Sequence, residues 1–119
     1  MIEITHRLAG RDESILVVAV PRELNHESAE PLRAAVMRSL PNRDGAGVIL
    51  DMTEVGLVSS IGIAALLQVQ EFCRDRGAGL VLASVPQRQQ AFLKMLKLDR
   101  KFACEAAVET AISRLQQGS

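Results

Sequence analysis

Two adjacent serines, Ser59 and Ser60, stand where the loop of DMTEVGLVSSIGIAALL runs into an apolar helical pattern. Hydroxyls at such a place can do two kinds of chemistry. One is to cap the helix by accepting a backbone amide. The other is to accept a phosphoryl group, because the first amides of a helix are unpaired and carry partial positive charge that favours an anion. A phosphate on Ser59 or Ser60 would add nearly two negative charges to the surface at modest cost. Gly62 has no side chain and lets another backbone approach closely. The plainer reading of the same residues is one serine as N-cap, Ile61 as a core or surface hydrophobe, and Gly62 as an aid to helix packing.

Other chemistry finds little support. Asp51 closes an apolar strand, as a phosphoacceptor carboxylate would. That site also needs an acidic cluster near the first strand and a lysine beyond a later one, whereas the first strand here ends in Leu8, Ala9 and Gly10. Asp51 is better read as holding its own loop by accepting amides from Thr53 onward. Asp75 with Cys73 makes no recognisable catalytic pair, and Cys73 falls on the apolar side of its helix. Cys104 precedes the last helix, where a thiol can become somewhat acidic, but it has no adjacent His or Lys, which points to a structural role. His6 and His26 are far apart with no neighbouring ligand pair, so no metal site is expected. The residues point to a binding protein without a cofactor, not an enzyme.

The composition agrees. At 119 residues the chain suits one domain, residues 1–119, and 48% hydrophobic with 24% charged residues is globular and not disordered. Fourteen basic residues balance fourteen acidic ones, which removes the field that a general nucleic-acid binder needs. Three Phe with no Trp or Tyr cannot build stacking platforms for bases or sugars. Two cysteines without CxxC spacing fit a reducing cytoplasm. No apolar run is long enough to insert in a membrane, and the first residues lack a signal-peptide core.

The elements that must position the serines follow from periodicity. Ile2, Ile4 and Leu8 alternate with Glu3, Thr5 and Arg7 as a half-exposed edge strand. GRDES then turns into the buried run 15–20, predicting a hairpin. Ser28 and Pro31 suit a helix start, and Leu32, Ala35, Val36 and Leu40 make an apolar stripe over residues 29–40. A short strand at 48–50 leads through the loop 52–58 to a helix from Ser60 to about Arg76, capped by Gly77. A strand at 80–83 precedes a helix with Phe92, Leu93 and Leu96 as its buried face. An apolar point around Phe102 and Ala103 precedes a last helix over 105–116. Strands joined through helices lie parallel, so the class is α/β, a mixed sheet of four to five strands with about four helices. In such sheets the C-terminal ends of the strands form the functional rim, which again selects 51–62.

ELNHESAEPLRAAV (23–36), VILDMTEVGLVSSIGIAALL (48–67) and RGAGLVLASVPQRQQAFLKMLKLDRKF (76–102) together resemble the STAS-domain family of anti-sigma factor antagonists. The resemblance covers nearly the whole chain. It implies a STAS-like fold and a switch protein that occupies a serine kinase of histidine-kinase-like ATPase fold, the anti-sigma factor, and so frees a sigma factor. In the family the kinase phosphorylates a hydroxyl at the start of the second helix, and a serine phosphatase, a further implied partner, removes it. Carried over, Asn25 stands where many members have Asp in the contact surface, and Ser60 and Gly62 match the loop-to-helix motif.

One departure matters. Where phosphorylated members often read Asp, Ser, Ser or Thr, Gly, this sequence reads Ser59, Ser60, Ile61, Gly62, so the usual acceptor is Ile61. Either a neighbouring serine, Ser60 or Ser59, has taken over, or the docking surface persists without that switch. The implied interface has Ile61 at its centre, with Asn25, His26, Glu27 and Ser60 as a polar rim. A STAS module of another assembly, such as a stressosome-like scaffold or a lipid-transport ATPase subunit, is the alternative.

Overall fold

A computed structural model describes residues 2–117. In chain order the elements are β1 (His6–Ala9), β2 (Ile15–Ala19), β3 (Glu23–Leu24), α1 (Ala29–Ser39), β4 (Gly47–Asp51) and β5 (Leu57–Val58). They continue with α2 (Ser60–Asp75), β6 (Gly79–Ala83), α3 (Gln87–Met95), β7 (Ala103–Glu105) and α4 (Val108–Gln117). Five strands form one sheet in the order β1-β2-β4-β6-β7. The hairpin β1–β2 is antiparallel, with Ala9 opposite Ile15, and every later pairing in this sheet is parallel. This is the mixed sheet with four helices that the alternation of strand and helix implies.

Both faces of the sheet are covered, which is why ILVVA, VIL and LVLA are unbroken apolar runs and not alternating ones. Leu16, Val18, Val48, Leu50 and Leu82 face a core shared with Leu32 and Val36 of α1, Leu66, Val69 and Cys73 of α2, and Leu93 of α3. The residues between them, Ile15, Val17, Ile49 and Val81, face Ala111, Ile112 and Leu115 of α4.

Helix ends follow local chemistry. Gly77, at φ +68°, ends α2 with the Gly77 amide on the Arg74 carbonyl and the Ala78 amide on that of Cys73, at 3.1 and 2.8 Å. This paired arrangement satisfies two orphan carbonyls and favours glycine at the left-handed position. The end of α3 repeats it with Lys97, at φ +60°, in the place of glycine.

Several expectations shift. The ladder of the first strand starts at His6, although the Thr5 carbonyl still accepts the Ala19 amide at 2.9 Å. Leu8 lies on this outermost strand and is 44% exposed, not inward. Ser28 does not cap α1 with its side chain. Its buried hydroxyl instead donates to the Glu23 carbonyl and accepts from the Asn25 amide, tying the preceding loop together. Leu96 lies just past the last turn of α3 and is exposed, while Leu98 takes the inward place. The last helix begins at Val108 because residues 103–105 pair with β6 as a fifth strand.

Candidate functional site

The serines lie at the end of a second, small pairing. After β4 the chain crosses to β5, whose two residues pair in parallel with β3, Glu23 opposite Leu57 and Leu24 opposite Val58. The consequence is that 25–27 and 59–62, far apart in sequence, leave adjacent strands side by side. Backbone bonds lock the junction: the Gly56 and Leu57 amides donate to the Arg22 carbonyl and the Ser59 amide to that of Leu24, the last at 3.0 Å. From α3, the buried Gln89 donates its side-chain amide to the Gly56 carbonyl at 2.9 Å. Gln89 escapes a sequence reading because a glutamine near a helix start carries no sign of burial.

Gly62 makes the junction possible. A β-carbon there would stand 2.3 Å from the Leu24 carbonyl oxygen, so only glycine lets the first turn of α2 rest on the end of β3. The two serines then separate in role. Ser59 has extended backbone and caps α2, its hydroxyl accepting the Gly62 amide at 3.2 Å and donating to the Leu24 carbonyl at 3.4 Å. Ser60, the first helical residue, is exposed, and its hydroxyl is unengaged among the described residues.

Around Ser60 the surface is mixed. Ile61 is 51% exposed and Leu57 is 61% exposed, two large apolar side chains in water on one connected segment. Leu57 was not separately visible in the sequence because β5 is too short to show a period. Opposite, Asn25 is half-buried and accepts the Glu27 amide on its side-chain oxygen at 2.9 Å, which fixes the turn. His26 and Glu27 are exposed and lie 4.0 Å apart.

The other candidates lie in structural roles. Asp51 accepts the Thr53 amide at 3.1 Å and its hydroxyl at 2.5 Å, holding the loop as expected. Cys73 is buried, and loss of solvation pushes its thiol up to about 11. The Cys104 thiol is not acidic. Burial raises it, and Arg114 pulls it down by less. Among the described residues no group of three or more His, Cys, Asp or Glu could hold a metal, and no helix is long and apolar enough to cross a membrane.

Comparison with known proteins accords with the fold. An anti-sigma-factor antagonist (STAS) domain protein from Planctomyces limnophilus has the same fold, with a TM-score of 0.83 at 14% identity over 97% of this chain and 99% of that one. The anti-sigma factor antagonist SpoIIAA in its unphosphorylated form matches with a TM-score of 0.69 at 16% identity, over 95% and 97% of the two chains. A chain of the stressosome, a signal integration and transduction hub, matches at 0.74 with 19% identity, over 92% and 96%. At these identities the likeness is one of fold. The family model for the STAS domain matches residues 7–111, and the chain belongs to that family.

Proposed function

We propose that the protein is an anti-sigma factor antagonist of the cytoplasm, which docks an anti-sigma serine kinase of histidine-kinase-like ATPase fold and thereby frees a sigma factor. The docking face is the pair of segments Asn25–Glu27 and Ser59–Gly62, with Ile61 at its centre. The observation that carries the reading is the exposure of Ile61 beside a free Ser60 hydroxyl, on a junction held rigid beneath by Gly62, Ser59 and Gln89. A half-exposed isoleucine amid polar groups is the composition of a transient protein contact.

The same geometry supports a choice between the serines. Ser59 is spent on the cap, so a phosphoryl group transferred here goes to Ser60, and a serine phosphatase restores the free form. Phosphate at Ser60 would be buried without a partner in the complex. An unpaired buried charge costs roughly 3 to 5 kcal/mol, which is more than a hundredfold in affinity. Incubation with the kinase and ATP, followed by intact mass and site mapping, tests this. Phosphate on Ser60, or none with binding retained, agrees with the docking reading, and phosphate on a residue remote from α2 contradicts it. The Ser59→Ala variant should be modified as readily as the parent, and Ser60→Ala should not be modified at all.

A further inference from the structure

The net charge of zero conceals an uneven distribution. Between residues 94 and 101 four cations, Lys94, Lys97, Arg100 and Lys101, accompany one carboxylate, Asp99. All five are exposed, and none of the ion pairs among the described residues uses these cations. In their midst Met95 is 75% exposed and Leu96 42% exposed, adjacent apolar side chains where α3 ends. The tip is firmly built. The Leu98 amide donates to the Leu93 carbonyl at 2.8 Å, Leu98 packs on the core, Phe102 is buried, and the Gln70 side chain of α2 donates to the Lys101 carbonyl. Lys97 occupies a left-handed position at φ +60° that glycine fills at lower cost, so a cation stands where the backbone alone would select none.

We infer that this tip, Lys94 to Lys101, is a peripheral attachment site for an anionic membrane surface, with Met95 and Leu96 dipping into the interface and the four cations meeting lipid phosphates. The observations favour a bilayer over an acidic protein, because an acidic surface would use the four cations and leave the exposed Met95 and Leu96 idle, whereas an anionic bilayer uses both. A fluid interface needs no complementary shape, only apolar side chains to enter and cations whose stems can lie along it while their charges stay wet. The placement is also workable. Parallel strands joined through helices put the start of α2 at one end of the sheet and the end of α3 at the other, so attachment leaves Ser60 and Ile61 facing away.

The test is co-sedimentation of the full chain with vesicles of phosphatidylcholine alone and of phosphatidylcholine mixed with phosphatidylglycerol. The protein should sediment with the anionic vesicles only, and should be released in 1 M salt, where charges are screened beyond about 3 Å. Lys97→Gln and Lys101→Gln should each weaken binding about fivefold. The double variant Met95→Ser, Leu96→Ser should weaken it at least about tenfold. These side chains are exposed, so unchanged unfolding curves establish that the variants fold. A protein that stays in the supernatant with anionic vesicles overturns the inference, as does sedimentation that ignores the substitutions. Absence of vesicle binding together with tip-dependent retention on polyglutamate overturns it in favour of an acidic protein partner.

Discussion

Adjacent identical residues can carry different functions when the backbone turns between them, and Ser59 and Ser60 are such a pair. The hydroxyl of Ser59 is part of the fold, and that of Ser60 is free to leave its surroundings unchanged. Ser59→Ala should cost about 1 kcal/mol in urea unfolding, the usual effect of losing a side-chain cap, while Ser60→Ala should fall within about 0.5 kcal/mol of the parent. Gly62 gives a second test. Alanine in a helix ordinarily gains about 1 kcal/mol over glycine. Here its methyl would meet the Leu24 carbonyl at 2.3 Å, with backbone on both sides, so Gly62→Ala should instead destabilise by about 2 kcal/mol. Gly79→Ala should cost less, because its nearest obstacle, at 2.6 Å, is a Leu115 methyl that can rotate away. The closeness at Gly62 was legible as a type of residue at a helix start. Which backbone came close was not, since that depends on β3 and β5 pairing across a long separation.

Elements long enough to show a period were legible, and the rest were not. The runs at 15–20, 48–50 and 80–83 announced strands buried on both faces, and Gly77 announced the end of α2. The strands β3 and β5 are two residues each and are made by backbone bonds, so no side-chain pattern marks them. β7 has only three residues, which is why Glu105 reads as the start of a helix. In the structure it extends the sheet and its carboxylate meets Arg114 at 3.0 Å. The end of α3 was legible only in part, because a lysine occupies the place where glycine usually signals the stop. A left-handed lysine costs roughly 1 to 2 kcal/mol, partly offset by the greater chain entropy that glycine loses. Lys97→Gly should therefore raise stability by about 0.5 to 1 kcal/mol, measured by chemical unfolding, while removing one charge from the tip.

For the molecule as a whole, the two-sided sheet places the proposed docking face at one end and the cationic tip at the other. Its core also contains a thiol with a measurable consequence. Burial raises Cys73 to about 11, so the thiol ionises earlier in the unfolded chain than in the folded one. The unfolded state then holds fewer protons, and stability is complete below about pH 9 and falls as pH rises toward 11, by roughly 2 to 3 kcal/mol. No tyrosine is present to add a phenolate to this window. Urea midpoints for the parent should fall between pH 8 and pH 10.5 more steeply than those of Cys73→Ala, and parallel curves would remove Cys73 as the cause.

In the proposed function the exposed start of α2 is a protein contact centred on Ile61. Equilibrium binding of the purified protein to the anti-sigma serine kinase proposed as its partner, for the parent and for Ile61→Asp, measures this directly. Ile61 is half-exposed and outside the core, so the variant should fold like the parent and bind at least about a hundredfold more weakly, as an unpaired charge in a desolvated contact requires. Equal affinity of the two proteins for the kinase would contradict the account.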